Sequence, residues 1–241
     1  MPTPDRIRRR WNDKYAAPEA PPWEQIPLDD LAQFLTLCRV RNVRRLLDVG
    51  CGTGLRLLGA LLCLGSLNRK DVTVLGIDLS PLAVKTAGRY LDAIQSGSPP
   101  SQLVSLGISP ERRLDCGVTF REEDSTSEEV DLSGPFDLAI DWMCLHEVWD
   151  PIDHARRIAS WCSALFVLNA FSENNDWANV TRAVEGVDKR RYSLEDVRGL
   201  FGRWFDIHFY HEFPARPDLK QSDGPLLAKR AYLMIRRDED S

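Results

Sequence analysis

The sequence predicts an α/β protein built on a doubly wound, mostly parallel sheet of seven strands with helices on both faces. Five short apolar runs rich in Val, Ile, Leu and Phe alternate with segments of helical spacing, a pattern typical of βαβ units. Near-continuous apolarity within each run indicates strands buried on both faces of a parallel sheet. Two further runs near the end lack a helical pattern between them, which favours an antiparallel pair at the sheet edge.

Each element has its own boundary in the sequence. The predicted strands lie at 45–49, 72–78, 118–122, 136–141, 162–169, Ile207–Phe213 and Ala231–Ile235. The predicted helices cover the segment from Leu28 to Cys38, the segment from Gly54 to Leu64, and the segments that follow Ser80 and Ser193. Ser80 is a suitable N-cap because Pro81 takes the first helical position, and Ser193 is one because an acid follows at the third position.

Composition limits the function classes. A length of 241 residues with 43% hydrophobic and 28% charged side chains fits one globular domain and excludes a solenoid, a fibre or a disordered chain. The net charge of −5 argues against a protein built mainly to bind nucleic acid and favours a small neutral, cationic or thiol substrate. No membrane-spanning run, secretion signal or zinc-ligand spacing is apparent, so we expect a cytoplasmic protein with reduced thiols and no metal.

The most informative segment is Leu46–Gly54, in which a buried strand ends in Asp48 and is followed by Gly50, Gly52 and Gly54. Glycine permits positive φ and lets a ligand approach bare backbone. Dinucleotide-binding proteins space their glycines as GxGxxG and hold pyrophosphate on a helix N-terminus. Here the third glycine comes one position early and an acid precedes the loop. This arrangement would repel a phosphate and attract an ammonium group.

Two later strands also end in acids. Asp78 is placed to hydrogen-bond a ribose diol, although an acid there also suits the N-terminus of the following helix. Asp124 is placed to accept a hydrogen bond from the amine of adenine, or belongs with Glu122 and Glu123 to a solvated acidic bend. Ligands of open α/β sheets bind at the carboxyl ends of the strands, where all these acids are expected.

These segments resemble the class I S-adenosylmethionine-dependent methyltransferases. The matching parts are DVGCGTG at 48–54 as motif I, Asp78 as the ribose-binding acid, Asp124 as the adenine contact, and FDLAIDWMCLHEV at 136–148. The resemblance covers roughly residues 40–170 by motif, and the count of seven strands extends it to about residue 235. It implies a Rossmann-like sheet with an antiparallel last strand, and S-adenosylmethionine bound across the first two strands, with S-adenosylhomocysteine as the product.

The resemblance also implies which residues contact the cofactor. This set comprises Asp48, Gly50, Cys51, Gly52, Gly54, Asp78, Leu79, Asp124, Ser125, Asp141, Trp142, Trp11, Tyr15 and Trp23. The resemblance also divides the chain into an N-terminal lid and helix (1–42), a cofactor-binding core (43–170), and a substrate-side loop, helix and hairpin (171–241). The closest similarity is to the thiopurine, thiol and tellurite-resistance type of small-molecule methyltransferases, in which an aromatic N-terminal stretch folds over the cofactor. The three aromatic residues of that stretch are alternatively core anchors.

Asp141 and His146 are the candidate catalytic residues. Asp141 is expected to orient the substrate or the cofactor ammonium, and Trp142 to line the pocket or contact the methyl donor, unless both only pack. His146 is a candidate general base because its ordinary pKa is about 6.5, or it packs at a helix start. Relatives often carry Asp-Arg and His-His where this chain has Asp141-Trp142 and His146-Glu147, so the acceptor (a thiol, hydroxyl or amine) stays open.

Several features have two interpretations. Cys144 adjoins the site but is expected to be a buried thiol. The polar residues that begin at Asn169 suit substrate contacts or a solvated loop. The arginines at 6–10 suit phosphates, as in a tRNA or protein methyltransferase that also uses a surface insertion at 95–117, or they bind the protein's own acids as a lid helix. A catalytically idle methyltransferase-like module is a further alternative, while the glycine spacing disfavours an NAD-linked oxidoreductase.

Overall fold

Seven strands form one mixed sheet in the computed structural model, which describes residues 3–16, 30–173, 189–213 and 229–237. The strands are β1 (Arg45–Val49), β2 (Thr73–Asp78), β3 (Gly117–Glu122), β4 (Phe136–Trp142), β5 (Cys162–Phe171), β6 (Phe205–Phe213) and β7 (Lys229–Arg236). Their order is β3-β2-β1-β4-β5-β7-β6. β7 is antiparallel to both of its neighbours, and the β1–β2, β1–β4, β2–β3 and β4–β5 pairs are parallel. The predicted fold class is therefore confirmed.

Helices cover both faces of this sheet. They are α1 (Pro4–Ala16), α2 (Asp30–Leu37), α3 (Leu55–Cys63), α4 (Pro81–Ser96), α5 (Ser101–Ser105), α6 (Pro151–Trp161) and α7 (Leu194–Phe201). The apolar residues of α2 to α5 bury one face of the sheet, which we call the α3 face. Those of α6 and α7 bury the other, which we call the α6 face. Helix α1 packs against α4.

The helix starts follow the local chemistry of the sequence. The Ser80 hydroxyl accepts a hydrogen bond from the Ala83 amide, 3.2 Å away, with Pro81 at the first helical position. Ser193 and Asp196 form a reciprocal capping box at the start of α7, as predicted. Helix α6 has an equally clear cap, because the carboxylate of Asp150 accepts hydrogen bonds from two backbone amides of its first turn.

The strand bounds differ from the predicted ones by at most two residues at each end. β6 and β7 begin two residues earlier than predicted, at Phe205 and Lys229. The segment at 95–117 packs against the core through the buried side chains of Leu103 and Leu114. Because this segment leads into the start of β3, it lies at the amino ends of the strands, the edge opposite to Asp48.

None of the helices in the described part of the chain combines the length and the apolar character that a membrane crossing needs.

Candidate functional site

The three glycines of the loop after β1 all have left-handed backbone conformations. Their φ angles are +69° at Gly50, +55° at Gly52 and +70° at Gly54, which side chains other than glycine rarely adopt. A Cβ atom at Gly50 would lie 2.4 Å from the Cys144 sulfur, and one at Gly52 would lie 2.8 Å from the Tyr15 hydroxyl. The loop therefore requires glycine both for its conformation and for the side chains that press against it.

Asp78, at the end of β2, ties the glycine loop to the neighbouring strand. Its two carboxylate oxygens accept hydrogen bonds from the backbone amides of Gly52, at 2.9 Å, and Ser80, at 2.8 Å. Burial raises the pKa of Asp78 to about 6, against the opposing effect of the two amides. Each oxygen keeps one lone pair after these contacts, so the carboxylate can still accept hydrogen bonds from a diol.

Asp48 lies on the α3 face of β1 and is only 5% exposed. Its pKa is raised well above the ordinary value by burial, and then by the nearby charges of Asp141 and Asp78, while Arg56 opposes the shift. Three carboxylates close enough to repel one another make the carboxyl end of β1 a place where a cation is stabilised. This favours an ammonium group over a phosphate, as the sequence indicated.

Asp124 and Ser125 follow β3. One oxygen of the Asp124 carboxylate accepts hydrogen bonds from the Thr126 amide, at 2.9 Å, and the Thr126 hydroxyl, at 2.7 Å. The Trp149 indole donates to the same hydroxyl oxygen over 2.7 Å. These contacts fix the turn after β3 against the loop before α6, and no described residue hydrogen-bonds the second carboxylate oxygen of Asp124.

Asp141 is completely buried on the α6 face of the sheet. One carboxylate oxygen accepts hydrogen bonds from the amides of Cys144, at 2.9 Å, and Leu145, at 3.1 Å. The other lies 2.8 Å from His154 Nε2, and the opposite ring nitrogen of His154 lies 2.9 Å from the Ser125 hydroxyl oxygen. Since a carboxylate only accepts, Nε2–H donates to it. Asp141 therefore holds the loop after β4 in place.

That loop runs over the glycines. Met143 has a φ of +73°, unusual for a side chain of its size, and its amide donates to the Asn169 carbonyl over 2.8 Å. Cys144 then presses on Gly50. Burial raises the pKa values of both Cys144 and Cys51 well above the ordinary thiol value, and neighbouring carboxylates add to the shift. Both thiols are therefore protonated and poor nucleophiles at neutral pH, as the sequence indicated for Cys144.

Trp142 points away from Asp141, toward the α3 face. Its indole Nε1–H donates to a carboxylate oxygen of Asp30 over 3.2 Å, and its ring lies 5.8 Å from the ring of Phe34. The second oxygen of Asp30 accepts a hydrogen bond from Arg56 Nε over 3.0 Å. Trp142 thus joins β4 to the start of α2, and this packing leaves it only 6% exposed.

Helix α1 lies across the carboxyl ends of the central strands. The Tyr15 hydroxyl sits against Gly52, and the Trp11 ring stacks on that of Tyr15 with centroids 5.7 Å apart. The Ser80 hydroxyl donates to the Asn12 side chain over 2.6 Å, and Arg8 Nε donates to the carbonyl of Leu79 over 3.3 Å. The N-terminal helix therefore covers the glycine loop, and Trp23 lies outside the described residues.

Two arginines of α1, Arg8 and Arg10, bind the protein's own acids, as one of the two interpretations of this segment predicted. Arg8 Nε lies 3.9 Å from a carboxylate oxygen of Glu122. Arg10 forms an ion pair with Glu147, whose carboxylate also lies 3.0 Å from the Lys189 ammonium. The Glu147 side chain is only 7% exposed. It connects α1 to the loop after β4 and to the segment that precedes α7.

His146 is buried beside this ion pair, with its ring centroid 4.2 Å from that of Phe171. Burial lowers the pKa of His146 to about 3, and the surrounding cations oppose the raising effect of Glu147. Its Nδ1 atom is buried, and no residue in the described ranges forms a hydrogen bond with it. The imidazole is therefore neutral at physiological pH and is a weak proton acceptor.

The structure thus brings the predicted acids, the glycines, Trp11 and Tyr15 together at one edge of the sheet. The bare backbone and the repelling carboxylates fit a cationic nucleoside and do not fit a pyrophosphate. His154, which orients Asp141, is not among the site residues predicted from the sequence. An Asp150-Pro151 start signal predicts α6 and places His154 in its first turn, but no sequence spacing reveals the contact with Asp141.

Known protein families and solved structures include matches to this chain. The sequence model of the methyltransferase-domain family matches residues 23–214, and no curated protein matches the sequence significantly. Magnesium protoporphyrin IX methyltransferase from Synechocystis PCC 6803, solved with bound S-adenosylhomocysteine, is 16% identical and superposes with a TM-score of 0.60 over 95% of this chain and 93% of that chain.

Two further solved structures have the same fold. The N-methyltransferase NodS from Bradyrhizobium japonicum WM9, in complex with S-adenosylhomocysteine, is 13% identical, with a TM-score of 0.61 over 96% of this chain and 99% of that chain. A putative methyltransferase from Haloferax volcanii, in complex with the Trm112 activator, is 15% identical, with a TM-score of 0.63 over 95% and 98%. The family match extends over most of the sequence, and the chain therefore belongs to the class I S-adenosylmethionine-dependent methyltransferases.

Proposed function

We propose that the protein transfers the methyl group of S-adenosylmethionine to a small-molecule nucleophile. The observation that carries this proposal is the position of α1, which lies over the glycine loop and is fastened there by Arg8 and Arg10 to Glu122 and Glu147. A covered site admits a small acceptor more readily than a polynucleotide or a protein loop. Within the family, this favours the small-molecule branch that includes the thiopurine, thiol and tellurite-resistance methyltransferases.

The geometry of the site supports specific roles in holding the cofactor. Asp78 would accept hydrogen bonds from the ribose diol, and the second oxygen of Asp124 would accept one from the adenine amine. The backbone of the glycine loop would lie against the methionine portion, with Asp48 close to its ammonium group. Tyr15 and Trp11 would cover the site. S-adenosylmethionine supplies an already activated methyl group on a sulfonium.

The chain's own contribution to the reaction is positioning and exclusion of water. Holding the acceptor atom about 3–3.5 Å from the methyl group in line with the breaking bond accounts for a large share of catalysis in such displacements. His146, with its pKa lowered to about 3 by burial, removes protons poorly at neutral pH. Asp141 is occupied by the loop after β4. We therefore expect an acceptor that needs little help to lose its proton, such as a thiol.

The alternative of a tRNA or protein methyltransferase needs the arginines of α1 and the segment at 95–117 to form one contact surface. The arginines of α1 lie over the carboxyl ends of the strands, whereas the segment at 95–117 lies at the amino ends. Arg8 and Arg10 are moreover engaged with carboxylates of the same chain. This arrangement favours a small acceptor.

A transfer assay with tritiated S-adenosylmethionine tests the proposal on panels of thiols, phenols, amines and carboxylic acids, with bulk RNA and cell protein in parallel. We expect label in a small molecule. We also expect Asp78→Ala to abolish calorimetric binding of S-adenosylhomocysteine, while Asp92→Ala, which removes an exposed carboxylate from α4, leaves it unchanged. Preferential labelling of RNA or protein would overturn the small-molecule assignment, and undiminished binding by the Asp78 variant would overturn the cofactor site.

A further inference from the structure

A second group of buried polar side chains lies on the α3 face, beside the proposed cofactor site. Asn169 of β5 is fully buried, and no described residue forms a hydrogen bond with either atom of its side-chain amide. Leaving the polar atoms of a buried amide unsatisfied destabilises the folded protein. Such groups in native proteins are normally satisfied by protein, water or ligand, and the part of the chain that the structure describes provides no partner for Asn169.

Lys229, the first residue of β7, is the second unusual group. It is only 6% exposed, and within the described ranges no carboxylate forms an ion pair with its ammonium. Buried lysines are otherwise almost always paired. Burial, and then the charge of Arg56, lower the pKa of Lys229 to about 8, whereas Asp30 opposes the shift. At pH 7 the side chain is still mostly an ammonium.

The strand register places these two groups side by side. Asn169 is opposite Ala231, and Phe171 is opposite Lys229, in the antiparallel β5–β7 pair. Side chains alternate along a strand, so Asn169 and Lys229 share a face and are diagonal neighbours, about 7 Å apart at Cβ. On the other side, Asn169 is in register with Trp142. The pair therefore lies between the loop after β4 and the start of α2, next to the proposed cofactor site.

Among the described residues around the pair, Lys229 is a cation that no carboxylate pairs with. Arg56 is paired with Asp30 at 3.0 Å, and the carboxylate of Glu147 is shared by Arg10 and Lys189. His146, which is close enough for the Lys229 charge to lower its pKa, is neutral. The four cations Arg56, Arg10, Lys189 and Lys229 face two carboxylates here, so a further negative charge is stabilised in this part of the interior.

We propose that Lys229 and Asn169 form an anion subsite that binds a carboxylate of the methyl acceptor. One carboxylate oxygen accepts a hydrogen bond from the Lys229 ammonium and the other accepts one from the Asn169 amide, which satisfies both groups at once. The reacting nucleophile is a different atom of the same molecule. This inference rests on the proposed small-molecule acceptor, and it names an acid as the substrate class although the overall net charge of −5 suggests otherwise.

Matched small ligands test this subsite directly. Benzoate and phenylacetate are titrated into the full-length protein saturated with S-adenosylhomocysteine, in parallel with benzamide and phenylacetamide, which have the same shape but no charge. Binding is followed by the NMR signals of the Trp142 indole and the Asn169 amide. We expect the acids to shift both signals and to bind at least about tenfold more tightly than the amides.

Two variants separate this subsite from nonspecific attraction. Lys229→Met should weaken binding of the acids by at least about tenfold while keeping the fold, because it removes an unpaired buried charge. Asn169→Asp supplies an internal carboxylate next to Lys229 and should abolish binding of the acids. Lys85→Met, which removes an exposed cation from α4, should change nothing.

Equal binding of acids and amides, absence of binding by either acid, or unchanged binding in Lys229→Met would each overturn the subsite. Binding of S-adenosylhomocysteine, measured by calorimetry on the same samples, shows separately whether the cofactor site is correct. If the protein binds S-adenosylhomocysteine but does not bind the acids, the methyltransferase assignment stands and the anion subsite is wrong.

Discussion

Asp78 makes the affinity for the cofactor depend on pH in a direction that its surroundings determine. Burial raises the pKa of its carboxyl to about 6, and only the ionised form can accept hydrogen bonds from both the backbone amides and a ribose diol. Affinity for S-adenosylhomocysteine should therefore rise with pH through about 6 and become level above it. The folding stability of the protein without ligand depends on pH in the opposite direction. The raised pKa of Asp78 contributes stability at low pH, and this contribution is lost as the pH rises through about 6.

The magnitude follows from the fraction of ionised carboxylate. With a pKa of about 6, this fraction is about 0.9 at pH 7 and about 0.1 at pH 5, so the dissociation constant should increase about tenfold over this interval. The pKa of Asp48 is also raised, first of all by burial, and its titration would make the loss at low pH steeper. His146, with a pKa near 3, does not titrate between pH 5 and 7.

Isothermal titration calorimetry with S-adenosylhomocysteine at pH 5, 6, 7 and 7.5 measures this dependence. Asp78→Asn, which cannot ionise, serves as the control. Its affinity for S-adenosylhomocysteine should be lower, and any pH dependence of the affinity that remains is assigned to Asp48. A wild-type dissociation constant that changes less than twofold from pH 5 to 7.5 would refute the reasoning, because the Asp78 carboxylate would then not be the group that receives the ligand.

Three further predictions concern the elements that support the site. His154→Leu removes the side-chain donor to the buried Asp141 carboxylate, so we expect a loss of about 3 kcal/mol and a melting temperature lower by roughly 6–12 °C in calorimetry. Gly50→Ala should destabilise the protein by about 2–4 kcal/mol in urea unfolding, and Cys144→Gly in the same chain should restore part of this loss by relieving the clash. Glu147→Gln should loosen α1, measured as faster tryptic cleavage of that helix, while the melting temperature of the sheet changes little.

The strands were predictable because strands that are buried on both faces appear in the sequence as runs of consecutive apolar residues. A strand such as β1 is covered on both faces, so its apolar run and the acid that ends it appear in adjacent positions of the sequence. The bounds of β6 and β7 were less clear, because these strands begin with residues such as Lys229 that are buried only through tertiary packing. The caps of α4 and α7 were predictable because capping is local chemistry between residues three apart.

The contacts inside the site were not predictable in the same way. Asp141 and His154 belong to a strand and a helix, and nothing in their spacing of 13 residues indicates a hydrogen bond. Cys144 presses on Gly50 directly after Met143, whose positive φ no sequence pattern reveals. The sequence favoured a solvated loop over a substrate contact for the polar residues that begin at Asn169, whereas the structure extends β5 past Asn169 and buries it completely.

The two inferences about ligands describe halves of one site with opposite charge. On the side of β1 and β2, Asp48 and Asp78 lie close enough to raise each other's cost of ionisation, and a cation relieves this repulsion. On the side of β5 and β7, Lys229 is a cation whose nearest described partners are already paired. A donor that carries an ammonium group and an acceptor that carries a carboxylate would each be drawn to the half of opposite sign. Exchanging their places would put like charges together in a poorly solvated interior, which costs several kcal/mol. The charge distribution would thereby orient both molecules before any contact with the reacting atoms is made.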